Sequence, residues 1–187
     1  MSPVRFCKRF DFADLPRDWS LVRIALDWSA QPTHIQRFQD GWLVGESRGG
    51  QTKLYDPQGR VRAELDLGDA SEDLQTTPEG HIWVSYFDEG VFGNGIGAQG
   101  VVCFDGAGVP LFRYAEFAEQ HGLPMISDCY AMNVGPGGEV WLNYYTDFPL
   151  VVPALVLHAL QLNIADLGDL TPLASVSLNS RPSASHL

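Results

Sequence analysis

The sequence is short of cysteine, of positive charge and of long unbroken apolar runs, and each shortage closes off a class of function. Its three cysteines, Cys7, Cys103 and Cys129, are odd in number and widely spaced. With no Cys-x-x-Cys pair and no histidine at ligand spacing, they indicate neither a disulfide framework nor a zinc site. Reduced thiols in a cytoplasmic protein are the expectation. Twelve basic residues against 23 acidic ones leave a net charge of −11, and the acidic residues are scattered along the chain. A surface of that sign repels phosphate backbones and anionic lipid, so neither a nucleic acid nor a membrane is expected as partner. Arg5, Lys8 and Arg9 cluster near the start, but three basic residues read as solvated surface. The longest apolar run, Phe148 to Leu162, is interrupted by Pro153, His158 and Gln161 and falls short of the roughly 20 residues a membrane helix needs. The N-terminal segment lacks an apolar core followed by a small-residue cleavage site, and so reads as no secretory signal.

What the chain does have is turn residues. Nineteen glycines and 12 prolines fall mostly where a pattern of short strands needs to turn. The organising stretch is Thr77-Pro-Glu-Gly-His-Ile-Trp-Val-Ser-Tyr-Phe-Asp-Glu-Gly90, a turn followed by a β-branched and aromatic strand. It is echoed at Asp40-Gly-Trp-Leu-Val-Gly-Glu-Ser47 and at Gly138-Glu-Val-Trp-Leu-Asn-Tyr-Tyr145. Aligned on Trp42, Trp83 and Trp141, each copy has glycine shortly before the tryptophan and an aliphatic residue after it. The first step, 83 − 42 = 41 residues, lies within the roughly 40 to 50 residue period of propeller blades. The second, 141 − 83 = 58, requires an insertion.

These units read as four-stranded antiparallel meanders. In the first, strands are predicted at His34 to Phe38, Trp42 to Ser47, Gln51 to Tyr55 and Arg60 to Leu67, the last two joined by the turn Asp56-Pro-Gln-Gly59. In the second they fall at Asp73 to Thr77, His81 to Phe87, Gly100 to Phe104 and Val109 to Tyr114, with Asp105-Gly-Ala-Gly108 as the matching turn. Two segments account for the insertion: the glycine-rich Gly90 to Gly100, and Ala115 to Gly122, one or two helical turns stopped by Gly122 and Pro124. A third unit opens with Asp128 to Val134 and Trp141 to Tyr145, after which the pattern stops. Before the repeats, Leu21 to Leu26 alternates as a strand would. The expected organisation is a lead-in over 1–31, a repeat domain of about two and a half blades over 32–151, and an atypical tail over 152–187 whose serine-rich end, Ser175 to Leu187, reads as disordered. The fold class expected is all-β, a partial propeller incomplete at its C-terminal side.

At Tyr86-Phe-Asp-Glu-Gly-Val-Phe-Gly-Asn94, Ile126-Ser-Asp-Cys-Tyr-Ala-Met-Asn-Val134 and Trp141-Leu-Asn-Tyr-Tyr-Thr-Asp-Phe-Pro149, the chain resembles a family of uncharacterised bacterial β-propeller-like proteins. Its blade style is similar to NHL and streptogramin-lyase-like repeats. The resemblance covers about Pro32 to Val151 and implies a fold without an activity. It also implies further blade-like strands after the third segment. Here the chain departs from that pattern, which predicts a truncated or frame-shifted reading frame. Downstream DNA free of blade motifs in its other frames would overturn that expectation. An incomplete array leaves blade surfaces uncovered, so self-association through exposed blade edges is expected.

Candidate chemistry gathers at strand ends. Tyr86, Asp88 and Glu89 follow one tryptophan strand, Tyr144, Tyr145 and Asp147 another, and Glu72, Asp73 and Asp128 stand at or before first strands. If the blades close round a channel, Tyr86, Asp88, Glu89, Asp128, Tyr145 and Asp147 form a ligand-binding set. Its carboxylates would then be able to hold a divalent cation through oxygen or act as acid and base. Against this stands the habit of strand-end carboxylates of bonding nearby backbone N–H groups. Gly95-Ile-Gly-Ala-Gln-Gly100 matches the dinucleotide fingerprint but is followed by a strand where that motif needs a helix, so it reads as a flexible inter-strand loop. The five histidines form no ligand pair, and no nucleophile elbow or phosphate loop occurs. No cofactor and no catalytic residue is indicated. Two functions remain: a scaffold whose loops bind a protein or small molecule, or a non-functional fragment of a longer propeller; and, alternatively, a metal-assisted hydrolase or lyase using strand-end carboxylates.

Overall fold

The computed structural model describes residues 22–24, 26, 32–46, 51–135, 138–146 and 148–151. They form three antiparallel sheets in chain order. The first runs through β1 (His34–Phe38), β2 (Gly41–Gly45), β3 (Gln51–Tyr55) and β4 (Val61–Asp66), and the second through β5 (Ser71–Thr76), β6 (Ile82–Tyr86), β7 (Val101–Phe104) and β8 (Pro110–Arg113). The third contains β9 (Asp128–Val134), β10 (Val140–Tyr145) and the two-residue β11 (Leu150–Val151). Two short helices, α1 (Asp88–Val91) and α2 (Tyr114–His121), and a 3₁₀ turn at Ile96–Gln99 are the remaining elements. The protein is therefore mostly β, as its turn-rich composition predicts. Among the described residues no helix is long and apolar enough to cross a membrane.

The recurring turns have one chemistry. Asp56 accepts the backbone N–H of Gln58 and of Arg60, both at 2.9 Å, and Gly59 closes the turn at φ +80. At the corresponding place in the second sheet Asp105 accepts from Ala107 at 2.8 Å and Val109 at 2.9 Å, and Gly108 stands at φ +81. An aspartate that satisfies two turn amides, followed by a glycine free to take positive φ, suffices to reverse the chain.

The second sheet lies between the other two. Every residue of β6 and β7 is buried. Alternation along these strands sends Ile82, Val84, Tyr86, Val102 and Phe104 into an apolar cluster shared with Phe38, Leu43, Leu65 and Leu67 of the first sheet and the residue after it. Trp83, Val101 and Cys103 point the other way, into a cluster with Cys129, Met132, Val140, Leu142 and Tyr144 of the third. The first strands are neighbours, β1 beside β5 and β5 beside β9. Gln75 fastens the second seam: its amide nitrogen donates to Met132 O at 2.8 Å while its oxygen accepts from Val134 N at 2.8 Å. Between the sheets, α2 buries Tyr114 and Ala118 and ends on Gly122 at φ +63, the stop expected from the sequence.

The structure corrects the sequence alignment at one point. Trp83 pairs with Gln75, and Trp141 pairs with Asn133, so these two tryptophans hold one position in successive sheets. In the first sheet the residue paired with Gln36 is Leu43, and Leu43 faces the second sheet; a side chain built on Gly45, on the same face, would lie 3.3 Å from Leu74. Trp42 points to the opposite face, with the Arg37 guanidinium 5.0 Å from its ring centroid. The cause is loop length. The first hairpin pairs Phe38 with Gly41 across two residues, whereas Thr76 pairs with Ile82 and Val134 with Val140 across longer turns. An odd difference in loop length moves every following side chain to the other face.

Other expectations are adjusted more simply. Val22 to Ile24 and Leu26 are not in a strand. Instead the backbone of Arg23 passes close to the β3–β4 turn, where a side chain on Gly59 would collide with its carbonyl. The loop expected to be flexible at Gly95 to Gly100 is folded as the 3₁₀ turn, where a side chain on Gly97 would come within 3.0 Å of Gly90 O. A strand, β7, follows it, as the argument against a dinucleotide site requires. Cys7, most of the lead-in and the tail from 152 onward lie outside the described residues.

Candidate functional site

Most of the strand-end residues singled out above belong to one end of the second and third sheets. β6 runs into α1, whose first turn carries Asp88 and Glu89, and α1 lies beside β9, which Asp128 begins. Asp128 pairs across the ladder with Tyr145 of β10. Just outside that pair, Ser127 N donates to Tyr145 O at 2.7 Å, and the Ser127 and Thr146 hydroxyls meet at 3.3 Å. The preceding loop is pinned from below by Tyr114 and Tyr144. Their hydroxyls touch each other and approach Pro124 O at 3.3 and 3.1 Å. Two hydroxyl protons serve these three contacts, so one proton is shared between alternatives.

Of the six predicted ligand-binding residues, the structure brings Asp88 and Asp128 close enough to feel each other's charge and places Tyr145 beside Asp128. Glu89 follows Asp88 in α1, whose carboxylate accepts the Glu89 N–H at 2.7 Å. Tyr86 is removed from the set. Its ring is wholly buried between the first two sheets and its hydroxyl donates to Leu67 O, so it anchors the seam and cannot meet a ligand. Burial also drives its acidity down, raising its pKa. Asp147 lies outside the described residues. Glu72 and Asp73 lie at this same end, on β5, where Ser71 pairs with Tyr86 and Asp73 with Ser85, and they face His34, whose pKa burial lowers against their opposing charge. Asp73 is spent locally, accepting from Leu74 N at 2.8 Å and Gln75 Nε2 at 2.7 Å.

Burial and then the Asp88 charge raise the pKa of Asp128 above the ordinary carboxylate value. A proton on Asp128 therefore favours the folded chain: that stabilisation is full below the unfolded pKa and is lost as pH rises through the folded one. Asp128→Asn, which imitates the protonated acid, is expected to raise the urea midpoint at pH 7 and to leave it unchanged at pH 3. A lowered midpoint at pH 7 would show that the carboxylate is a stabilising partner instead.

Nothing else in the described part offers comparable chemistry. Cys103 and Cys129 are fully buried, and burial pushes both thiols up to about 12, so they are unreactive at neutral pH. Among the described residues no three His, Cys, Asp or Glu side chains gather as a metal site requires. The residues that sequence reading passed over are Gln75 and Tyr114, and Tyr144, grouped there with the strand-end residues, turns inward instead. The adjacent pair Tyr144-Tyr145 did carry a signal, since neighbours in a strand face opposite ways: Tyr144 is fully buried and Tyr145 is 49% exposed.

Sheets, turns and site together define a mostly β protein of consecutive antiparallel sheets with two carboxylates and a tyrosine at one end. Residues 101–160 match the YxzG family. The match spans β7 to β11, so it includes Asp128 and Tyr145 but neither Asp88 nor Glu89. That description names no activity, substrate or partner. No curated protein matches the chain.

Proposed function

We propose that the chain is a propeller-type binding scaffold, built of blades like those of NHL and streptogramin-lyase-like proteins, that takes a protein or small molecule at the end carrying Asp88, Glu89, Asp128 and Tyr145. The observation that carries this reading is the meeting of the three sheets along their first strands, β1 beside β5 beside β9, which is how blades meet around an axis. Its loops are then held on a stiff base, the arrangement that suits recognition. The test is a ligand screen on the isotope-labelled full chain. Shift changes should gather at Asp88, Glu89, Asp128 and Tyr145. Reproducible hits that map elsewhere would contradict the assignment.

The proximity of Asp88 and Asp128 favours a second reading, in which the two neighbouring carboxyls serve as acid and base. A metal-assisted hydrolase or lyase of this kind would bind Ca²⁺, Mg²⁺ or Mn²⁺ stoichiometrically in equilibrium dialysis, and Asp88→Ala or Asp128→Ala would abolish that binding. Dialysis with no ion retained would leave the scaffold reading.

A further inference from the structure

The third sheet has one face against the second sheet, and among the described residues nothing covers the other. On the open side stand Trp141, Asn143 and Tyr145 of β10, with Ala131 and Leu150 paired to Asn143 and Asn133 paired to Trp141. Tyr130 and Phe148 complete it, stacked at 5.9 Å, while Tyr145 meets Phe148 edge-on at 5.6 Å. Trp141 is 41% exposed, whereas Trp83, at the same position one sheet earlier, is completely covered. Aromatic side chains this large are seldom left together in water.

We propose that this face is the seat of a two-fold dimer, covered by the same face of a second copy. Area, charge and symmetry each favour that occupant. Four aromatic side chains, each carrying roughly 150 to 250 Å² and each about half exposed, leave on the order of 400 Å² open per copy. Two copies, with Leu150 and the small residues between the rings, reach about 1,000 Å², the lower bound for a specific interface, so the dimer is weak. Of the residues in β9, β10 and β11 only Asp128, paired with Tyr145 at one end, is charged. In a molecule of net charge −11, this sheet thus brings one carboxylate per copy against its partner. Head-to-tail stacking is disfavoured because Val44 and Tyr55, on the outward face of the first sheet, are already 5% and 3% exposed. What remains is a self-complementary pairing, in which the amide of Asn133, both donor and acceptor, suits a copy of itself.

The experiment is sedimentation velocity on the full chain across a range from micromolar to several hundred micromolar. A reversible shift from monomer to dimer is expected at tens to hundreds of micromolar, the weak regime such an area supports. Trp141→Glu is expected to abolish it while leaving the far-ultraviolet spectrum intact. A photo-reactive benzoylphenylalanine at Tyr145 should link to the Tyr130 or Trp141 peptide of another molecule. A monomer at every concentration would overturn the proposal, as would a dimer indifferent to Trp141→Glu. A link from position 145 to residues 152–187 of the same molecule would also overturn it, by showing that the chain covers this face itself.

Discussion

Replacing Trp83 by alanine is expected to cost about 3 kcal/mol of stability, and the same change at Trp141 about 1 kcal/mol or less. The two residues hold one position in successive sheets, so the contrast isolates what the neighbouring sheet contributes. Trp83 is wholly enclosed, packed against Phe112 with ring centroids 5.5 Å apart and among side chains of the third sheet. Removing a buried tryptophan costs the transfer free energy of its ring and the cavity left behind, typically about 3 to 5 kcal/mol. The low end applies because the buried indole nitrogen has no hydrogen-bond partner among the described residues. An unsatisfied donor already costs the native state roughly 1 to 3 kcal/mol, and alanine relieves that. Trp83→Phe should accordingly be far milder than Trp83→Ala. The measurement is urea unfolding at low micromolar concentration, where Trp141 carries no burden of association. Equal losses at the two sites would mean that the second sheet is not covered by the third.

The second large effect tests the register of the first sheet. Leu43→Lys is expected to leave little folded protein, while Trp42→Lys is expected to fold. Leu43 is fully buried against the second sheet, and an unpaired ammonium there costs several kcal/mol, a large share of the roughly 5 to 15 kcal/mol that stabilises a typical domain. Trp42 is partly open, so a lysine at that position can run its stem along the sheet and keep its charge in water. Its cost is the lost ring packing and the Arg37 contact, the latter about 0.5 to 1 kcal/mol. Circular dichroism and a thermal melt of each variant decide the matter. If Trp42 were the true counterpart of Trp83, the two outcomes would be exchanged.

That register shows where sequence reading succeeds and where it fails. Turn chemistry is local, so Asp56 to Gly59, Asp105 to Gly108 and the stop at Gly122 were legible from residue types alone, and the strands between them followed. Facing is not local. A tryptophan before an aliphatic residue looks the same whichever way the strand is turned, and only the length of the preceding hairpin separates Trp42 from Trp83. β11 escaped notice because two residues carry no periodicity, and α1 because four residues after a strand carry too little. The candidate site was legible in part for the same reason. Asp88, Glu89, Asp128 and Tyr145 follow from their places at strand ends, whereas Tyr86 reads as one more exposed strand end until the turn at Leu67, nineteen residues earlier, is seen to supply its acceptor. Gln75 gave no sign, since a polar residue at the middle of a half-buried strand is ordinary until its partners on β9 are known.

Three sheets packed face to face, with the second enclosed by its neighbours, are the basis of every expectation above. A nuclear Overhauser spectrum of the full chain tests that most directly. Cross-peaks are expected between a Gly45 α-proton and a Leu74 methyl, spanning the first seam, and between the Val134 amide proton and the Gln75 side chain, spanning the second. Sheets that form with neither cross-peak present would contradict it.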